Sequence, residues 1–377
     1  MSFSLFGERL KTDVTNWEVG PYHLSLPGPI RLSLKLDGEV IISGEVETGF
    51  LHRGLEKCFE LHSWKSAIPY ADRLDPEAAV FGELVYCLAV EEAANTLVPP
   101  RAQAIRIILS ELTRISCHLA NAVRIARAVG AETVLHYLLR DREKIIDLFE
   151  LLTGARFSLN FLRIGGVRAD VTEGFIERVL DVCDLIRVRL KEYNDLFTFN
   201  HAFLKRTINV GVLSPALIKK YGMTGPNARA SGINADVRKD RPYSGYEILD
   251  FEVPLGRGEG GTLGDAHERF LIRLREVSQS IEILKQVTEG LPLGEYLTPT
   301  EDKAVPEGEA YVRVESSRGL LGCHLMSLGG TAPHRVQFRA PSGFHLQAVP
   351  ELITGLKLED LSVVLASLDL SISEADR

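Results

Sequence analysis

The residues of this sequence best equipped for chemistry are arginines and carboxylates set close together among apolar neighbours. Three runs carry them: His52-Arg53-Gly54-Leu55-Glu56-Lys57, Asp72-Arg73-Leu74-Asp75 and Arg140-Asp141-Arg142-Glu143. Such groups sit either on exposed helix faces, where an ion pair contributes little, or in buried pairs, which persist only when each charge is matched. Other chemistry finds less support. Gly256-Arg257-Gly258-Glu259-Gly260-Gly261 has the GxGxxG spacing. A dinucleotide site also needs a buried strand before it, inside a βαβ unit, and an acid about 20 residues on. The preceding run is mixed and closed by Pro254, so a glycine-permitted turn into a helix is the simpler reading. The ten histidines include no HExxH, and His52 and His62 are too far apart in sequence for one helical ligand pair. His118, beside Leu119, reads as a hydrogen-bonded structural residue. No GxSxG occurs, and Cys117 and His118, adjacent on a helix, do not face each other. No metal site and no hydrolase constellation are expected.

Composition narrows the class further. The chain of 377 residues is 45% hydrophobic and 25% charged, ordinary for a globular protein. A net charge of −8 argues against nucleic acid, which binds clustered cations. No run reaches the length of a membrane span, and the N-terminal MSFSLFGERLKTDV has no secretory pattern. The five cysteines, Cys58, Cys87, Cys117, Cys183 and Cys323, are widely spaced and include no CxxC. They predict neither a disulfide framework nor a local iron–sulfur or zinc site, and read as small buried hydrophobes.

Long helices must position the charged runs. Apolar residues at Ile105, Leu109, Leu112, Ile115, Leu119 and Val123 recur every three or four positions, predicting a helix over 101–128. Further helices are predicted over 132–153, closed by Gly154, over 172–198 from Thr172, and from Asp265 to Gly290. Four such helices bury one another best as a bundle. Residues 29–43 alternate as a β-hairpin with Asp37-Gly38 as its turn. Strand-like patches follow at Ala310–Val314, Cys323–Met326 and Arg335–Arg339, then a helix-like piece near 345–356. The stretch 205–264 is rich in Gly and Pro and is expected to be irregular. The fold class is α+β: a central long-helix bundle with small β elements at both ends. The expected division is 1–70, an N-terminal hairpin and α+β region; 71–300, the helical core; and 301–377, a C-terminal α+β region.

Taken in order, the segments GPYHLSLPG (20–28), LDGEV (36–40), GFLHRGLEK (49–57), IPYADRLD (68–75), ELTRISCHL (111–119), FLRIGGV (161–167), TINVGV (207–212), ASGINADVRKDRPY (230–243), SRGLLG (317–322) and RAPSGFHLQAVPEL (339–352) span nearly the whole chain. Together with the ending Glu374-Ala375-Asp376-Arg377, they resemble the D subunit of the respiratory NADH-quinone oxidoreductases, complex I. The resemblance implies the fold of the nickel-iron hydrogenase large subunit. Hydrogenases of that fold hold nickel through two CxxC motifs. The corresponding stretches here, Asp72–Ala78 and Asp369–Glu374, contain no cysteine, and thiolates are what such a site requires. Hydrogenase activity is therefore excluded on the expected ligands.

The resemblance also implies a role. The chain would pack against the iron–sulfur B subunit, with the C subunit and the membrane-arm H subunit nearby. It would form one wall of a cavity where a [4Fe-4S] cluster held by the partner passes electrons to quinone, coupled to proton translocation. It would bind no cofactor itself and would lie peripherally on the cytoplasmic side of the cell inner membrane. Arg53 matches the family arginine facing the cluster. The family's quinone-site histidine, however, falls on Pro27 and its tyrosine on Pro76. The aspartate partnering that histidine falls on Ala128, and a histidine near the cluster falls on Ser158. Proline can donate no proton, while reduction of a quinone to quinol needs two. His23, Asp75 and Tyr70 are the replacement donors to consider. The other reading is a scaffold subunit of a related redox complex, without the usual quinone ligands.

Overall fold

A computed structural model describes residues 14–299 and 304–377, with the backbone of Ser4–Leu5 and Glu8–Arg9. Most of the N-terminal run read for a signal, and the boundary expected at 300/301, lie outside the described residues.

An antiparallel sheet opens the described chain: β1 (Thr15–Val19), β2 (Arg31–Asp37) and β3 (Val40–Glu47), in that order. Strand periodicity turns Leu32, Leu34 and Leu36 inward. The predicted hairpin is present, but its turn is Gly38-Glu39, one position later than expected. Asp37 stays paired with Val40, and Gly38 takes the positive φ of 60° that the turn demands. The sheet buries its apolar face against α6 (Pro341–Ile353) and α7 (Leu361–Leu368), with Leu346, Val349, Ile353 and Leu365 in the shared core. Each fully buried Leu or Val contributes about 1.5–3 kcal/mol.

The long helices are α1 (Ala79–Ala94), α2 (Pro100–Val129), α3 (Glu132–Thr153), α4 (Phe175–Tyr193) and α5 (Ala266–Glu289). Pro100 opens α2 at a position with no N–H to lose, and left-handed Gly130 closes it. Asp265 caps α5 by accepting the Glu268 N–H at 2.8 Å. The predicted start of α4 at Thr172 shifts to Phe175. Gly174, at φ 73°, turns the chain there, and Thr172 O accepts the Phe175 N–H outside the helix. A π turn, Asn194–Thr198, extends α4. Helix α2 packs on α3 and α5, and α4 packs on the same two, completing the expected bundle.

A second antiparallel sheet, β4 (Gly308–Glu315), β5 (Leu320–Ser327) and β6 (Arg335–Arg339), has the order β6-β5-β4. It matches the three strand-like patches and packs on α1. Two expectations need correction. The last helix-like piece, placed at 345–356, runs from Pro341 to Ile353, because Pro341 supplies a ready N1 residue; α7 follows it. The stretch 205–264 is not simply irregular. It holds short helices Pro215–Tyr221, Pro226–Ala230 and Val237–Asp240, with Ser214 and Asp236 capping the first and third.

Candidate functional site

The two stretches free of cysteine, Asp72–Ala78 and Asp369–Glu374, come from opposite halves of the sequence and meet in the fold. Asp75 enters from the turn before α1, and Asp369 from the residue closing α7. Between them sits Arg318, from the tight connection between β4 and β5. Its guanidinium is ion-paired with Asp75, donates to Glu77 at 2.7 Å, and donates to Asp369 O at 3.1 Å. Arg124 of α2 bridges Glu77 at 3.0 Å and Asp369 at 2.5 Å. Arg273 of α5 lies 3.8 Å from the other Asp369 oxygen. Three guanidinium groups thus face three carboxylates, which is how a buried charge cluster avoids the desolvation penalty of an unmatched ion.

The charges tune one another. Burial alone would raise Asp369, but Arg318, Arg124 and Arg273 outweigh it and hold the carboxyl far below its usual range. Burial likewise opposes, and Arg124 and Arg318 overcome, so Glu77 is also held low. For Asp75 burial wins and the shift is upward. Glu374, which accepts the Ser342 N–H at 3.0 Å, is pushed up to about 7 by burial and by the Asp75 charge beside it. The donor set does not fit a thiolate-bound nickel: what the two stretches share is a guanidinium. The nearest thiol in contact, Cys117, donates to Glu77 O at 3.4 Å and is pushed up to about 12 by burial, so it stays protonated. Among the described residues no group of His, Cys, Asp and Glu is arranged to hold a metal ion.

A second buried network adjoins the first across α2 and α5. Arg229 donates to Glu276 and Glu315, both at 2.7 Å. Arg238 bridges Asp236 and Glu111, and Glu111 also accepts from Ser280 and Tyr246, each at 2.6 Å. Arg114 and Arg238 more than offset burial and hold Glu111 down at about 2. His118 shares a 2.9 Å hydrogen bond with Glu276, and burial keeps it below its ordinary value. A neutral imidazole donating through Nε2 fits this contact, since Nδ1 has no partner among the described residues. The hydrogen-bonded structural reading of His118 therefore holds.

The sequence-predicted residues are not gathered at one point. Asp75 is inside the ion cluster, where its second oxygen accepts from Ser371 at 3.1 Å. Tyr70 is half-buried and stacks on His62, sharing a 2.8 Å hydrogen bond with its Nε2. His23 is exposed on the loop between β1 and β2 and bonds Ser25. Arg53 lies on an exposed rim, donating at 2.7 Å to both Arg73 O and Ser373 Oγ. Pro27 is half-buried in the β1–β2 loop, while Pro76 and Ser158 line one recess with Glu77, Ser116 and Arg142. The recess measures about 20 Å³, room for roughly one water. Ala128, near the end of α2, is not among its lining residues.

Arg124, Arg273, Glu77 and the whole second network were not singled out from sequence as a site. A signal existed: Glu111, Arg114, His118, Asp236, Arg238 and Arg318 all fall in the segments quoted above. The GxGxxG run is a loop, and residues 249–255 ahead of it form no strand. Its Arg257 and Glu259 N–H groups donate to the Glu268 carboxylate at 2.9 and 3.0 Å. Three of the N–H donors of this run, with Gly256 bonded to Arg229 O, are therefore engaged within the chain rather than turned toward a phosphate.

Comparison with known proteins agrees with the resemblance over nearly the whole chain. Residues 128–305 and 295–377 match the family model described as the respiratory-chain NADH dehydrogenase, 49 Kd subunit. One of the NADH-quinone oxidoreductase D subunits of Opitutus terrae is 41% identical, over 98% of this chain and 92% of its own length. The D subunit of Desulforamulus reducens is 41% identical over 97% and 99%. Subunit 4 of the NADH-quinone oxidoreductase of Thermus thermophilus is 39% identical over 98% and 96%.

Proposed function

The chain belongs to the family of the 49 kDa subunit of the respiratory-chain NADH dehydrogenase, and from that premise we propose that it forms, with an iron–sulfur partner, the wall of a quinone-reducing cavity. It works as one subunit of a membrane-associated NADH-quinone oxidoreductase. Electrons pass from a [4Fe-4S] cluster, held by the B subunit, to quinone, and membrane partners couple the transfer to proton translocation. The C and H subunits complete its surroundings, on the cytoplasmic side. No helix among the described residues is long and apolar enough to cross a membrane, so attachment goes through partners.

One observation carries the reading: the segment that leads into the ion cluster meets the Arg53 rim through Arg73 O, and Pro76, directly after it, lines the recess with Ser158. A cation on that rim stabilises an added electron on an adjacent cluster and raises its potential. The recess is too small for a quinone ring, so the head group lies between this wall and the partner. Pro27 and Pro76 favour a second reading, a scaffold without its own quinone chemistry, because neither can donate a proton.

The test is turnover by the purified complex with ubiquinone and menaquinone analogues. Activity that falls about ten-fold or more in Arg53→Ala, with a milder loss in His23→Ala, supports the first reading. A complex whose cluster is reduced by NADH but which never turns over quinone would establish the scaffold instead.

A further inference from the structure

Behind the rim lies a pair of carboxyl groups that the ion cluster does not use. Asp72 precedes Asp75 by one turn, and Glu83 is on α1; both are fully buried. Gly82 allows the approach: a Cβ there would come within 2.2 Å of Ala71 O, so only glycine lets the Asp72 segment lie directly on α1. Asp72 Oδ2 accepts the Asn160 N–H at 2.9 Å and the Arg73 guanidinium at 3.1 Å. Glu83 Oε2 accepts the N–H groups of Phe161 and Leu162 at 2.9 and 2.6 Å. That leaves one oxygen on each, Asp72 Oδ1 and Glu83 Oε1, both buried and neither meeting an N–H or O–H donor from elsewhere among the described residues. Asn160 and Phe161, whose N–H groups the two carboxyls accept, are consecutive residues, so Asp72 and Glu83 lie side by side with those two oxygens unclaimed. Two bare carboxylates held together out of water repel each other; one proton between them removes the repulsion and gives both oxygens a partner.

We infer that Asp72 and Glu83 share one proton and donate it to the reduction chemistry at the partner-facing rim. The inference rests on the quinone reading above, in which the usual donor positions carry proline. The pair is well placed for the task. Asn160, bonded to Asp72, is next to Leu159, which lines the recess with Pro76 and Ser158. The Leu159–Asn160 peptide thus links the lining of the recess to the Asp72 carboxyl. In the step, two electrons from the partner's cluster reach the quinone, one after the other. One quinone oxygen takes a proton from the pair: its O–H bond forms as the carboxyl O–H bond breaks, and the quinol anion so formed takes its second proton, on the other oxygen, from solvent. The pair changes from one negative charge to two, and solvent later restores the proton.

The surroundings can carry that change. Asp72 faces the cations Arg73 and Arg163, and Glu83 faces Arg106, already paired with Glu91, and the neutral thiol of Cys87. Burial, then the neighbouring Asp72, hold Glu83 well above the usual carboxyl range, and burial raises Asp72 as well. A carboxyl whose proton is held more tightly than usual by its surroundings is what a general acid requires.

The experiment uses the assembled complex carrying Glu83→Gln, with Asp72→Asn as the second variant should the first fail to assemble. Two readouts are taken: the infrared C=O band of a protonated carboxyl at pH 8, and quinone-analogue turnover against pH. The expected result is loss of the band together with a fall in kcat of about a hundred-fold. The loss should steepen toward alkaline pH, with KM and NADH reduction of the cluster unchanged. An unaltered band overturns the shared proton. A lost band with unchanged kcat and pH profile overturns the donor role. A wild-type complex that shows the band but reduces no quinone overturns the preceding reading, and the donor role with it.

Discussion

The buried charge network between α2, α5 and the C-terminal segment and the exposed loop between β1 and β2 hold candidate residues under opposite conditions. In the network, Arg318, Arg124, Asp75, Glu77 and Asp369 come from separated places in the sequence, and each has at least one charged partner. In the loop, His23 bonds a residue two positions away and is otherwise exposed. Buried charges must be matched within the chain, so their geometry is set by the fold. An exposed histidine takes its functional geometry from whatever packs over it. Chemistry assigned to the network can be broken within this chain, whereas chemistry assigned to the loop depends on the neighbouring subunits.

Several substitutions would sharpen this contrast. The largest effect is expected from Arg318→Ala, which strands Asp75 and takes one cation from Glu77 and from Asp369, leaving both with Arg124. Denaturant titration should show a loss of about 3–5 kcal/mol; a loss under about 1 kcal/mol would mean the cluster is wet and the contrast is wrong. Next comes pH. Glu111 is held at about 2 by Arg114 and Arg238. A depressed carboxyl contributes stability that is fully present above its unfolded value near 4.5 and disappears as pH falls toward 2. The contribution is about 3 kcal/mol, and Glu111→Gln should flatten that acid limb. Glu374 has the opposite sign. It is raised to about 7, so its contribution is full below about 4.5 and is lost as pH climbs through 7. Glu374→Gln should remove the decline in thermal stability between about pH 5 and 8. In the hairpin, Gly38→Ala forces a Cβ into a left-handed turn and should cost roughly 1–2 kcal/mol. Smallest of all, His23→Ala should change stability by no more than about 0.5 kcal/mol, so any defect it causes must appear in quinone turnover.

Much of the fold was legible in the sequence because periodicity reports burial directly. The helices over 101–128, 132–153 and 265–290, and the three C-terminal strands, stand where their apolar spacing put them. The turn at Gly38-Glu39 was misplaced by one residue, since both Asp37-Gly38 and Gly38-Glu39 can supply a positive φ at the glycine. Helix α7 was missed because LSVVLASL is a short apolar run, and such runs look alike in helix and strand. The site was less legible. Runs such as Asp72-Arg73-Leu74-Asp75 show charge density but not partners. Arg73 is half-exposed, while Asp72 and Asp75 are buried and bound to residues far along the chain.

By itself, the sequence determined the order of helices and strands, the missing cysteines that remove a thiolate site, and the family to which the chain belongs. These follow from local residue types and spacings. Only the tertiary structure decided which carboxylate meets which guanidinium, that Asp75 is locked to Arg318 while Tyr70 pairs with His62, and that Asp72 and Glu83 end up side by side. The reason is that charge pairing in a low-dielectric interior depends on distances of a few ångströms between residues distant in the chain, and no local pattern records them.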